Sequence, residues 1–410
     1  VALGRFTITA TTTRTAKIAA VAATIASGPR RLGTPLTGNA AERLVSGRDG
    51  GGRWASSDGE LSISIDAAGG RRSIGPGASP TASTIATTLG RGRPAQPLSV
   101  PFVLGLNGNA ITMRPEFAER VCPPGRLGDA RQVGTTLAAV AKTSAAQGKR
   151  LRFGVVHRYS SHNYMLRYWL AASGIRPDYD VEIVTIAPPF CADALEAGEV
   201  DGICVGEPWN SVAVERGAGR IVLATAQIWR RGVEKVLAFR ESVLEERREQ
   251  AEALIRALVR AARHFVEPEN WATNSAILAR PEYLDGSQTL IERAISDRLL
   301  LARDGPLVNY PDFMFQYREA ANFPWVSQAE WLYTQMVRWE SPGFNADDAA
   351  RAARVFRPDV YRSALRGLDE PLPGASSKVE GSLSGTTVVG TEQGAMTLES
   401  NSFFDGQTFD

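Results

Sequence analysis

The chain is poor in the residues that most catalytic and metal sites require. Its 410 residues include 3 cysteines and 3 histidines, and Cys122, Cys191 and Cys204 lack the spacing of a zinc site or a disulfide framework. It also lacks an apolar run of about 18 residues, the length that spans a membrane. The net charge of +2 is too small for a surface that coats nucleic acid. We therefore expect no metal, no membrane span and no direct nucleic-acid partner.

Motifs for nucleotide-dependent and hydrolytic catalysis are missing as well. No Gly-x-Gly-x-x-Gly turn, no phosphate-binding Gly-Lys-Ser/Thr loop and no Gly-x-Ser-x-Gly elbow occurs. Glu207, within Gly-Glu-Pro-Trp, could act as a general acid if the adjacent Trp209 raises its pKa. The alternative is a structural role, in which its carboxylate accepts hydrogen bonds from nearby backbone N–H groups. We expect no cofactor and no enzymatic activity.

The composition changes abruptly along the chain. Residues 1–96 contain 15 of the 39 glycines, and 12 Lys and Arg against 5 Asp and Glu. Segments of this kind bury too little apolar surface to offset the entropy lost on folding. We predict that residues 1–97 form an atypical N-terminal segment. Its apolar stretch at 17–27 is either a weak export signal or a helix or unstructured arm.

From Leu98 onwards, apolar strand-like runs alternate with helix-like segments of about a dozen residues. This alternation predicts an α/β fold with mostly parallel sheets, whose ligands bind where strands end and helices begin. The predicted strands are residues 100–106, 151–156, 181–186, 200–205 and 220–226.

Three polar residues in or near these loops could bind an anion. Asn109 follows the first strand and offers an amide donor. His162 lies in the first turn of a predicted helix, where free N–H groups and the helix dipole create partial positive charge. The preceding Ser160 and Ser161 can both cap this helix by accepting hydrogen bonds from its free N–H groups. Lys235 precedes an apolar strand-like run. A cationic group and several donors are what a small anion requires.

Each of the three residues also has a simpler interpretation. His162 could be an ordinary core or capping residue. Lys235 could be solvated, or paired with the adjacent Glu234. The Asn-Gly-Asn sequence that ends at Asn109 is first of all a turn signal.

Several uncommon strings, in order, resemble the nitrate/bicarbonate-binding receptors of ABC transporters. They are residues 104–111, 162–172, 204–210 and 234–235, and the likeness extends from about Ala86 to the end. Three further strings, at 160–163, 374–381 and 403–410, are similar to cytoplasmic nitrate/nitrite sensors within that family.

The resemblance implies a two-lobed, type II periplasmic-binding-protein-like fold with a hinged cleft. Residues 98–232 would form the second lobe, 233–371 would return to the first, and 372–410 would be a linker and C-terminal tail. Asn109, His162 and Lys235 would contact the anion. Nitrate and nitrite are favoured, because bicarbonate carries an O–H group and would require an acceptor or a metal ion.

The resemblance to the sensors implies a cytoplasmic protein that holds an RNA-binding antiterminator until nitrate or nitrite releases it. An alternative is the extracytoplasmic, periplasmic receptor of a nitrate-type importer, whose partner is an ABC permease. A third alternative is an enzyme on the same two-lobed fold that makes a thiamine-pyrimidine precursor.

Residues 1–85 depart from the family, whose members begin with an apolar strand and contribute a Trp-containing segment to the anion site. Trp54 is the nearest match. We hypothesise that this stretch is translated in the wrong reading frame and that the family's frame resumes near residues 86–89.

Overall fold

A computed structural model of the chain describes residues 77–410. The apolar stretch at 17–27, Trp54 and most of the segment assigned to a wrong reading frame lie outside the described residues. The strands, in chain order, are β1 (Gly77–Pro80), β2 (Leu98–Asn107), β3 (Asn109–Met113), β4 (Leu151–Val155), β5 (Val181–Thr185), β6 (Gly202–Gly206), β7 (Arg220–Ala224), β8 (Val233–Arg240), β9 (Arg298–Leu300), β10 (Leu307–Asn309), β11 (Met314–Phe315), β12 (Thr387–Thr391) and β13 (Gly394–Leu398).

The helices alternate with these strands in most of the described chain. They are α1 (Thr81–Leu89), α2 (Pro115–Val121), α3 (Ala130–Ala146), α4 (Ser161–Ala172), α5 (Cys191–Glu196), α6 (Trp209–Glu215), α7 (Glu241–Glu246), α8 (Arg248–Val266), α9 (Trp271–Leu278), α10 (Gln288–Ile295), α11 (Val326–Trp339), α12 (Ala346–Val355) and α13 (Pro358–Leu365).

The two larger sheets form the centres of two α/β lobes. The first has the order β1-β8-β2-β11 and the second the order β5-β4-β6-β3-β7. The predicted two-lobed α/β fold is confirmed, but the expectation of mostly parallel strands needs correction. Strand β4 pairs in parallel with β5 and β6, whereas the other described pairs of these two sheets are antiparallel. In the second sheet the antiparallel pairs arise because β3 continues directly from β2 and enters between β6 and β7 in the opposite direction.

The chain crosses between the lobes at two described points. At the first crossing only Gly108 separates β2 from β3, and its φ of +81° is a conformation that glycine adopts without strain. The second crossing is the segment 225–232, between β7 and β8. Strand β2, which the predicted boundaries assign to the second lobe, pairs in the first sheet with β8.

Packing also fixes the C-terminal tail, which was predicted to contain a linker. The Phe403 side chain is buried, and its ring stacks on Trp229 of the second crossing at 5.1 Å and on Trp331 of α11 at 5.6 Å. The hydroxyl of Tyr168, on α4, donates to the carboxylate of Asp405 at 2.9 Å. The tail therefore contacts both lobes and one of the crossings between them.

Candidate functional site

The first turn of α4 presents His162 from the second lobe. The Ser160 hydroxyl caps the helix by accepting a hydrogen bond from the Asn163 N–H at 3.2 Å, as the sequence predicted. The His162 side chain is buried, with 3% of its surface exposed. Among the residues that the structure describes, its Nδ1 has no hydrogen-bond partner. This buried imidazole can therefore still accept a proton or a ligand contact.

Strand β8 contributes Glu234 and Lys235 from the first lobe. Its register against β2 shifts here: Gly105 lies opposite Lys235 and Leu106 opposite Val233, so Glu234 has no cross-strand partner in β2. Such a bulge redirects a side chain that would otherwise alternate to the other face of the sheet. As a result, the neighbouring Glu234 and Lys235 side chains meet, and the Lys235 ammonium donates to Glu234 Oε1.

Helix α1 begins beside this bulge. In the register of β1 against β8, Pro80 lies opposite Lys235, and Pro80 is also the residue before the helix. The hydroxyl of Thr81 donates to the backbone oxygen of Glu234 at 2.8 Å. The Ser83 hydroxyl donates across the lobes to the backbone oxygen of Tyr159. The N-termini of α1 and α4, with their positive dipole ends, therefore approach the site from opposite lobes.

All three residues predicted to bind an anion converge on one group, the Glu234 carboxylate. The Asn109 amide, on β3, donates to Glu234 Oε2 at 3.0 Å. The Nε2 atom of His162 lies 3.6 Å from Glu234 Oε1, the oxygen that also accepts from Lys235. The Glu234 and Lys235 residues are 4% and 7% exposed. The structure thus brings Asn109, His162 and Lys235 into a single buried cluster with a carboxylate at its centre.

The pKa shifts within this cluster follow from burial and from the neighbouring charges. Burial lowers the pKa of His162 to about 4, against the opposing effect of Glu234. Burial alone would raise the pKa of Glu234, but His162, Lys235 and the Ser161 hydroxyl together lower it. At neutral pH the cluster therefore contains one carboxylate, one ammonium group and an uncharged imidazole.

Glu207, the candidate general acid, lies just after β6 and has a different environment. Its Oε2 accepts a hydrogen bond from the Ser211 N–H at 3.2 Å, in the first turns of α6, which agrees with the structural interpretation. Burial raises its pKa to about 7, and hydrogen bonds from Ser211 and Asn210 only partly offset this. The described structure does not bring a second carboxylate to hydrogen-bond distance of Glu207.

Sequence reasoning overlooked the central role of Glu234. It considered this residue only as a possible ion-pair partner of Lys235. Adjacent residues of a regular strand point to opposite faces, so the sequence did not predict that both side chains would reach one site. The start of α1 was overlooked too, since residues 77–85 were placed in the atypical segment. The position of the Glu234 side chain depends on the register of β8 against β2, and the position of α1 depends on the pairing of β1 with β8. The sequence contained no local signal for either pairing.

Two structural features are absent from residues 77–410. No group of three or more His, Cys, Asp or Glu side chains in this part of the chain is arranged to hold a metal ion. No helix in the same range is long and apolar enough to cross a membrane.

A sequence profile described as the NMT1-like family matches residues 73–279. The chain belongs to this family. The match begins before Ala86, which corrects the predicted start of family-like sequence. The buried residues of α1 and the pairing of β1 with β8 explain why, because residues 77–85 are already part of the first lobe.

Several relatives of this NMT1-like chain are named for nitrate import or nitrate binding. It is 33% identical to the nitrate import ATP-binding protein NrtC of Synechocystis sp. over 288 residues. This alignment covers 70% of this chain and 41% of NrtC. The chain thus spans about two fifths of that relative's length. It is 29% identical over 329 residues to the nitrate/nitrite binding protein NrtA of Synechococcus elongatus, covering 79% of this chain and 68% of NrtA.

A solved structure supports the fold of this NMT1-like protein. The periplasmic nitrate-binding protein NrtA from Synechocystis PCC 6803 aligns with a TM-score of 0.69, covering 82% of this chain and 80% of NrtA. At 23% identity, this likeness establishes the two-lobed receptor fold.

Proposed function

We propose that this protein binds a small oxyanion, nitrate or nitrite, between its two lobes through Asn109, His162 and Lys235. One observation carries the proposal: donor groups from both lobes converge on a single planar carboxylate, the side chain of Glu234. A carboxylate and a nitrate ion are both flat monoanions whose oxygens accept hydrogen bonds. The donors that contact Glu234 are therefore of the kind that a nitrate ion requires, and we place the anion at this cluster. The names of the NrtA relatives point to the same ligands.

The finer part of the proposal is that the protein is a cytoplasmic sensor. In this role it would hold an RNA-binding antiterminator and release it when nitrate or nitrite binds. The support is the resemblance of the tail to that of such sensors, together with the contacts of Phe403 and Asp405 to a crossing and to α4. A tail with these contacts can transmit lobe closure to a partner. The release is tested by co-purifying protein and antiterminator with and without 1 mM potassium nitrate, at roughly a thousand times a micromolar Kd.

The second candidate function is the periplasmic receptor of a nitrate-type ABC importer. The observation that favours it is the set of relatives named for nitrate import and for a periplasmic nitrate-binding protein. In this case the partner would be a permease, and nitrate would strengthen rather than release the interaction. The sign of the nitrate effect on partner binding therefore distinguishes the two functions.

The ligand is tested by calorimetric titration with nitrate, nitrite and hydrogen carbonate. We expect nitrate or nitrite to bind with a Kd in the micromolar range, about 8 kcal/mol at 1 μM. Substitution Lys235→Ala should abolish the heat of binding, whereas Lys142→Ala, at an exposed position on α3, should leave it unchanged. Normal nitrate binding by folded Lys235→Ala would remove Lys235 from the site.

A further inference from the structure

We propose that Glu234 is the specificity-determining residue of this site, and that an oxyanion without a proton of its own binds only together with one proton. The inference rests on the function proposed above. It assigns a role to a residue that sequence reasoning treated only as a possible partner of Lys235.

The argument begins with the geometry of the donors. Glu234 Oε2 accepts from the Asn109 amide at 3.0 Å, and Oε1 accepts from the Lys235 ammonium. These are the groups that the anion itself requires. With 4% of Glu234 exposed, water cannot screen its carboxylate from a second negative charge in contact with the same donors. A nitrate ion must therefore share or displace the contacts of a buried group of like charge.

Within residues 77–410, the elements around this cluster supply one positive charge to balance it. Lys235 lies on β8 itself, His162 and Ser161 on α4, and Asn109 on β3. Strand β6 adds Cys204, whose pKa burial raises, so that the thiol is uncharged at neutral pH. From α1, the Thr81 hydroxyl reaches only the Glu234 backbone oxygen. The carboxylate and the ammonium group thus cancel, and the oxygens of a bound nitrate would face the Glu234 carboxylate with no hydrogen between the two anions.

Taking up one proton supplies the missing hydrogen. Two groups can accept it: His162, whose Nδ1 is without a partner in the described structure, and Glu234, if the anion displaces it from its donors. The two side chains interact too closely for the proton to belong to one of them alone, so the uptake is a property of the cluster. Nitrate contributes no proton and must obtain it from solvent. Hydrogen carbonate carries an O–H group that can donate directly to the Glu234 carboxylate. Glu234 thereby favours proton-bearing oxyanions relative to a site built from donors alone.

The experiment measures proton uptake directly. The full chain is titrated with potassium nitrate at several values between pH 5.5 and 8, in buffers of different ionisation enthalpy. We expect uptake of about one proton per nitrate over part of this range, with a Kd that rises about tenfold per pH unit there. Sodium hydrogen carbonate at pH 7.5 should bind with little uptake.

Two matched variants locate the effect. Glu234→Gln keeps the shape of the side chain but removes its charge, so nitrate should bind at least about tenfold more tightly at pH 7.5, with little proton uptake. Glu207→Gln removes the buried glutamate that lies between β6 and α6. It should leave the proton uptake and the nitrate affinity as in the parent chain.

The outcomes separate this inference from the proposed function. Nitrate binding with no proton uptake at any pH would overturn the inference and leave the function standing, and this measurement needs no variant. Weaker nitrate binding by folded Glu234→Gln would also overturn it, since Glu234 would then only position the donors. If neither the parent chain nor Glu234→Gln bound nitrate, nitrite or hydrogen carbonate, both the inference and the proposed function would be overturned.

Discussion

Glu234 and Glu207 are two buried glutamates whose pKa values shift in opposite directions. Glu234 is surrounded by an ammonium group, an amide and an imidazole, and its pKa is lowered despite burial. Glu207 accepts a hydrogen bond from the Ser211 N–H. In the described structure no cation lowers its pKa, and burial raises this pKa to about 7. The two residues are 4% and 2% exposed, so burial alone does not account for the difference.

The comparison shows what prepares one region of the molecule for an anion. Desolvation acts against the charged form of both carboxylates, and only converging charge and donor groups reverse its effect. That convergence requires both lobes at the cluster formed by Asn109, His162, Glu234 and Lys235, here called the β8 cluster. The turn that contains Glu207, here called the Glu207 turn, lies between β6 and α6 of a single lobe. The β8 cluster therefore favours the ionised form of its glutamate, whereas the Glu207 turn favours the neutral form.

The largest effect is expected from Lys235→Met, which removes the cation from the β8 cluster. Glu234 would then be a buried charge with too few partners, and breaking such a pair costs about 3–5 kcal/mol of unfolding free energy. Urea denaturation at pH 7 measures the loss. Of the two simpler interpretations of Lys235, the solvated one is wrong, because only 7% of its surface is exposed.

The double variant Glu234→Gln/Lys235→Met is the control for this prediction. It removes both charges together and should regain most of the lost stability. If Lys235→Met alone cost less than about 1 kcal/mol, the ion pair would have little importance for the fold.

The next effect is a pH dependence assigned to Glu207. Its pKa is higher in the folded chain, about 7 against an ordinary value of 4.5, so the folded state binds the proton more tightly. Its stabilising contribution is complete below about pH 4.5 and declines as the pH rises towards 7, by about 3 kcal/mol in all. We expect Glu207→Gln to flatten this part of the curve of unfolding free energy against pH.

Glu234→Gln provides the opposite control. The pKa of Glu234 is lowered on folding, so its contribution is present above its unfolded pKa and is lost only at more acidic pH. The decline between pH 4.5 and 7 should therefore persist in Glu234→Gln. Asp297, whose pKa burial also raises to about 7, adds a similar decline that neither variant removes. A Glu207→Gln curve as steep as that of the parent chain would contradict the assignment.

A smaller loss is expected from Asn109→Leu, which leaves Glu234 Oε2 without its amide donor. Removing one hydrogen bond to a buried charged group costs about 1–3 kcal/mol. The pKa of Glu234 should rise, and nitrate affinity should fall because one donor is lost. Asn109→Gln keeps the amide and should preserve more of the affinity than Leu. Equal affinities for the two variants in calorimetry would argue against a donor role for residue 109.

The features that the sequence predicted well depend on local interactions. Ser160 caps α4 through neighbouring residues, so a short stretch of sequence contains the necessary information. The strand-and-helix alternation from Leu98 likewise predicted the α/β fold. Asn109, His162 and Lys235 were selected by their donor chemistry and by resemblance to a family. The structure brings all three to one carboxylate, and their contact with an anion stays a prediction.

The features that the sequence did not predict depend on register and chain direction. The role of Glu234 follows from the bulge in β8, which is defined only by pairing with β2. The antiparallel position of β3 follows from the crossing at Gly108. In both cases the determining contact joins residues far apart in the sequence, so a local pattern could not specify it.

The smallest effect is expected from Gly206→Ala, which perturbs the cluster without removing any of its groups. A Cβ atom at this position would lie 3.1 Å from Asn109 Oδ1 and 3.8 Å from His162 Nε2. The Asn109 side chain must then move by a few tenths of an ångström, at a cost of about 1 kcal/mol or less in unfolding free energy. The same displacement lengthens the contact of its amide with Glu234, so nitrate affinity should fall by about fivefold or less. Gly390→Ala on β12, where the added atom meets nothing within 4 Å, is the matched control. If both variants bound nitrate as tightly as the parent chain, the position of Asn109 would matter less than its donor chemistry, and the charge balance around Glu234 would dominate binding.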